Sequence, residues 1–168
     1  GMRFIILAFF ALASVAQADD EWAGWRGPRR DGTSLETGFP VKWSATENVL
    51  WKVPLPGKGH SSPVVWGDRI FVTTCLEDGG DRKLLCLDRK DGKVVWERVV
   101  VTVPLEGKHN LNSFASATPV TNGKRVWVAF QEVKEFVIYC YDVDGNLVWK
   151  KSPGRFLSVH GFCSSPLL

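Results

Sequence analysis

The sequence has little of what marks several large functional classes. It carries no charge of one sign in quantity: 21 Lys and Arg stand against 18 Asp and Glu, for a net charge of +3. That surplus is too small and too scattered for a nucleic-acid groove or a polybasic membrane anchor. Its apolar run, Phe4 to Ala16, falls short of the roughly 20 residues that a membrane-spanning helix needs. There is no Walker phosphate loop, no Gly-x-Ser-x-Gly elbow and no pair of histidines at helical spacing, so nucleotide-dependent and hydrolytic readings lack a motif. No Cys-x-x-Cys occurs among the four cysteines, which leaves zinc knuckles and thioredoxin-like sites unsupported. What the 168 residues do hold is 45% hydrophobic composition, 16 Gly, 9 Pro, 10 Phe and 8 Trp beside a single Met. A folded chain of short strands and many turns is expected, all-β in class.

The N-terminus reads as a targeting segment. Met2-Arg3 is a short positive start, the apolar run follows, and Ala16-Gln17-Ala18 supplies the small residues that signal peptidase requires before Asp19. Residues 1–18 are therefore expected to be a signal peptide, with the mature chain exported to the periplasm or secreted. No cysteine stands at the cleavage point, which disfavours a lipid anchor. Residues 19–45 then form an N-terminal arm and residues 46–168 the repeated region. Arg26, Arg29 and Arg30 lie among Trp22 and Trp25, a mixture that in a basic protein would suggest stacking on nucleic acid. In an exported chain of low net charge it reads as a packed arm.

Two landmarks recur. His60-Ser61-Ser62-Pro63-Val64-Val65 aligns with Ser116-Ala117-Thr118-Pro119-Val120 and with Cys163-Ser164-Ser165-Pro166-Leu167-Leu168. Asp91-Gly92-Lys93-Val94-Val95-Trp96 aligns with Asp144-Gly145-Asn146-Leu147-Val148-Trp149, and Asn48-Val49-Leu50-Trp51 matches the end of both. The Pro spacings are 56 and 47 residues and the Trp spacings 45 and 53, periods that belong to propellers or solenoids. Within one period four strands are expected, Pro63 to Trp66, Arg69 to Thr74, Lys83 to Asp88 and Lys93 to Val99, with Gly67-Asp68 and Asp91-Gly92 as hairpin turns. The strands read as apolar runs, not strict alternation, so both faces of each sheet are expected to be covered. A four-stranded antiparallel meander covered on both faces by copies of itself is a β-propeller blade.

The segment Cys86 to Trp96 is similar to the tryptophan-docking motif of quinoprotein-type, or PQQ-like, β-propellers, matching it at Asp88, Gly92, Lys93 and Trp96. The copy from Cys140 is one residue shorter and keeps Asp142, Gly145 and Trp149. The opening Trp22-Ala23-Gly24-Trp25-Arg26-Gly27-Pro28 to Gly32 also resembles the N-terminal portion of exported bacterial PQQ-like repeat proteins. The resemblance implies that Trp51, Trp96 and Trp149 dock between blades, each indole N–H needing an acceptor on the next blade, with Asp88 and Asp142 capping turn amides. It permits PQQ and calcium as cofactors without assigning a residue to either, and the adjacent cysteines by which many PQQ dehydrogenases hold the quinone are absent. No catalytic residue and no metal ligand is assigned.

Trp51 ends a last-strand sequence with no first three strands before it, and Pro166 begins a first strand. In a closed ring that phase lets the N-terminal strand complete the final blade. About two full blades stand where a ring needs roughly 4 to 8, so either further blades beyond residue 168, the favoured expectation, or self-association of copies closes the ring. Cys86 and Cys140 occupy equivalent positions on facing sheets about 10 Å apart, too far for a disulfide. Cys75 and Cys86 would bridge only if the hairpin register allowed it; all four, with Cys163, are expected as buried thiols. His60, His109 and His160 fall in the same type of connection and should share one face, a candidate site for a polar ligand or a metal with Arg26, Lys108, Asn110 and Asn112 beside them. The expected function is a scaffold binding a protein or small molecule at that face, with no nucleic-acid partner. The alternative is a PQQ-dependent alcohol or sugar dehydrogenase.

Overall fold

A computed structural model of the protein describes residues 21–168; the expected signal peptide lies outside them. The described chain is all-β. Its strands are β1 (Val64–Trp66), β2 (Arg69–Leu76), β3 (Asp81–Asp88), β4 (Val94–Thr102), β5 (Val120–Thr121), β6 (Arg125–Glu132), β7 (Glu135–Asp142) and β8 (Leu147–Arg155). They form two four-stranded antiparallel sheets in sequential order, β1-β2-β3-β4 and β5-β6-β7-β8. These are two blades of a β-propeller, and they do not close into a ring.

The turns follow from local chemistry. Gly67-Asp68 closes β1 onto β2 with Trp66 opposite Arg69. Asn122 fixes the equivalent turn of the second blade, its Oδ1 accepting from the amides of Lys124 (3.1 Å) and Arg125 (2.9 Å). Between β7 and β8 the Asp142 Oδ1 accepts from the amides of Asp144 and Asn146 at 3.0 and 2.8 Å, and Asp88 Oδ1 accepts from Lys90 at 2.8 Å. Those bonds to its ionised form hold the Asp142 carboxyl below its usual value.

The core between the sheets joins Val64, Phe71, Cys75, Leu84 and Cys86 to Val126, Val128, Phe130, Val137, Tyr139 and Tyr141. The opposite face of the first sheet buries Ile70, Val72, Leu85 and Leu87 beneath Trp51. The opposite face of the second sheet packs Ala129, Phe136 and Ile138 against Phe156 and Phe162 from the chain beyond β8. Coverage is uneven: β2, β3, β6 and β7 are largely buried, whereas β8 is exposed along its whole length. The expectation of two covered faces therefore fails at the outermost strands β4 and β8, which are half-exposed and exposed, whereas β5 is buried like the middle strands.

The strand expected to end at Trp51 does not form. Residues 33–50 run exposed and irregular, since among the described residues no strand lies alongside to complete their hydrogen bonds. The Cys75–Cys86 bridge is excluded by register: Cys75 faces Arg82 and Cys86 faces Phe71. All four cysteines are free; Cys75, Cys86 and Cys140 are buried, but Cys163 is exposed, in a connection that no strand shields.

Candidate functional site

Residues 52–63 and 103–119 lead into β1 and β5, residues 156–166 follow β8 to the third repeated proline, and a repeated hydrogen bond joins the three connections. The Ser62 N–H donates to Thr118 Oγ1 at 3.0 Å, and the Thr118 N–H donates to Ser165 Oγ at 3.0 Å. Ser62, Thr118 and Ser165 each precede the repeated proline, so one repeat's amide is satisfied by the next repeat's hydroxyl. Asn112 adds a cross-connection, its Nδ2 donating to His160 O at 2.7 Å while its Oδ1 accepts from the Ser116 hydroxyl at 2.5 Å.

The three histidines divide. His109 and His160 meet edge to face with ring centroids 5.6 Å apart, and the Leu111 N–H donates to His109 Nδ1 at 3.2 Å. His60 instead lines a cleft of about 460 Å³ with Trp25, Asn112, Ser116, Thr118, Cys163, Ser164, Ser165 and Leu167. Arg26 lies outside this cleft: its guanidinium sits 4.6 Å over the Trp25 ring and lines a neighbouring apolar cleft of about 320 Å³ that shares Trp25 and Leu167. Lys108 is drawn onto Phe114, its ammonium 5.0 Å from the ring centroid, and Asn110 is exposed in the turn of the same connection. Sequence reasoning missed Trp25, Ser116, Thr118, Cys163 and Ser164 as cleft residues. The aligned Ser-Ser-Pro and Thr-Pro steps already signalled most of them.

Among the described residues, no group of three His, Cys, Asp or Glu is placed to hold a metal ion. His109 faces His160 and not His60, so the three histidines do not come together at one point. Burial pushes the Cys86 thiol up to about 11 and raises Cys75 and Cys140, so these thiols stay protonated.

Two of the three repeated tryptophans make equivalent contacts. Trp51 Nε1 donates to Arg89 O at 2.9 Å and Trp96 Nε1 to Val143 O at 2.9 Å, carbonyls that each follow the turn aspartate. Gly92 and Gly145 adopt φ of 73° and 82°, and a Cβ there would lie 2.6 Å from the Trp51 ring and 2.8 Å from the Trp96 ring. Both glycines thus allow the turn and the close approach of the indole. Trp149 makes no such bond among the described residues and is 37% exposed. A contact that sequence reasoning did not anticipate repeats the theme at the other hairpin: the Trp66 indole lies against Gly123.

A family described as outer membrane protein assembly factor BamB, of PQQ-like repeats, matches residues 37–152. The chain belongs to the PQQ-like repeat family. BamB from Moraxella catarrhalis is 22% identical with a TM-score of 0.47, over 63% of this chain and 28% of that one. Quinohemoprotein alcohol dehydrogenase from Comamonas testosteroni is 19% identical with a TM-score of 0.37, over 54% of this chain and 12% of that one. The PQQ-like chain therefore spans about a quarter or less of the length of these solved structures. No curated protein matches it. No helix among its described residues is long and apolar enough to cross a membrane.

Proposed function

We propose that this PQQ-like chain is part of an exported binding scaffold, with its contact surface at the mouth where the three connections and the N-terminal arm converge. The observation that carries the reading is the cleft of about 460 Å³, which draws His60, Asn112, Ser116 and Cys163 from three successive repeats to one place beside Trp25. A surface assembled from several loops on a rigid sheet framework is the common form of a binding site. The family description, an outer membrane protein assembly factor, favours a protein as the ligand. The sequence at residues 1–18 supports export, and docking of Trp96 from the first blade onto Val143 of the second supplies the stiffness between them.

The test places a photo-crosslinking side chain at Trp25 or His60, with Lys150 on the outer strand β8 as control, in a bacterium that exports the full chain. Discrete adducts at the mouth positions and none at Lys150 are expected. Equal labelling at all three, or none at the mouth, overturns the reading. Incubating the same protein with PQQ, calcium and an alcohol or sugar is expected to leave an electron-accepting dye unreduced; reduction would establish the dehydrogenase alternative instead.

A further inference from the structure

The strands β1 and β5 each pair with one strand only, β2 and β6, so their other edges have no strand partner. Such edges are normally covered or blunted. Here consecutive carbonyls of the arm cover them: the Val65 N–H donates to Trp22 O at 2.9 Å, and the Thr121 N–H donates to Ala23 O at 2.8 Å. Val65 and Thr121 stand at one repeat position, two residues after Pro63 and Pro119. One short segment thus meets the same register point of two successive repeats.

The segment is shaped for this. Glu21 anchors its start, accepting from the Gly67 N–H at 2.8 Å. Its turn is closed by Gly27 N–H to Gly24 O at 3.0 Å and Gly32 N–H to Arg26 O at 3.1 Å. Gly27 has φ of 69° and sits so close to the Trp22 ring that a Cβ would lie 2.6 Å from it. A Cβ on Gly24 would lie 3.3 Å from Val120 Cγ2, so the backbone is pressed onto β5.

We infer that residues 21–32 form a strap, which seals the free edges of β1 and β5 and sets the angle from one blade to the next. The strap goes beyond the scaffold reading and stands or falls separately from it.

Hydrogen exchange measured by NMR on the full chain tests the strap. In the native protein the Val65 and Thr121 amides are expected to exchange at least about 100-fold slower than unstructured amides and at matched rates, because one opening frees both. Gly27→Val should speed both by about tenfold or more while the amides of β2 and β6 keep their protection. Unprotected or unmatched rates in the native protein overturn the strap, as does a folded Gly27→Val protein with both amides unchanged. Should that variant fail to fold, the native rates decide alone.

Discussion

At the residue scale, the three repeated tryptophans share a position and differ in what surrounds them, so their replacement should cost different amounts. Trp96 donates to Val143 O, packs on Phe71 with centroids 5.9 Å apart and lies over Gly145. Trp96→Ala is expected to lose about 3 kcal/mol, and Trp96→Phe, which keeps most of the ring and forfeits the N–H, about 1 kcal/mol. Trp149→Ala, at a half-exposed site, should cost less than about 1 kcal/mol. Urea midpoints at constant slope measure all three, and equal losses at Trp96 and Trp149 would contradict the structure. The thiols separate in the same way. Cys163 should react with a disulfide reagent within minutes at pH 8, while the three buried thiols, Cys86 pushed up to about 11, should wait for denaturant. The tryptophan positions were legible because the motif is local. The exposure of Cys163 was not, because it depends on which connection lies uncovered.

At the element scale, the hairpins show how far turn chemistry can be read. Gly67-Asp68 and Asp91-Gly92 announced themselves, and the strands beside them formed close to the expected limits. The turn from β6 to β7 gave no such signal: Glu132 pairs with Glu135 across Val133-Lys134, and Val133 takes φ of 58°. A β-branched residue in the left-handed region is held there by the long strands on either side. Val133→Gly is expected to raise stability by about 1 kcal/mol, read from the urea midpoint. The turn at Asp142 carries a pH dependence. Its carboxyl titrates below the usual 3.8 in the folded chain because the Asn146 and Asp144 amides bind the ionised form. Its stabilisation is therefore full above about pH 4–5 and lost as the pH falls through the folded value. Asp142→Asn should lower the urea midpoint at pH 7 and make little difference at pH 2. The exposed strand β8 carries Lys150, Lys151 and Pro153, a composition that discourages unwanted strand pairing at an edge.

At the scale of the whole molecule, the two sheets contribute to one buried cluster between them, and their unfolding should be a single event. Far-UV circular dichroism and tryptophan fluorescence are expected to give coincident urea transitions; separated transitions would mean that each sheet holds itself together. Blade order and the meander could be read from the repeat, because every blade restates the same local pattern. The division of the histidines could not, since the packing of His109 on His160 and of His60 beside Trp25 depends on how connections from different repeats lie together. The Ser62, Thr118 and Ser165 bonds carry a consequence for how such a protein changes over generations. Each unit brings one amide to give and one hydroxyl to receive, so an in-frame duplication inserts both halves at once and leaves no group unsatisfied. Blade number can drift while the junction chemistry stays constant, and a lineage can lengthen the ring without reinventing its seams.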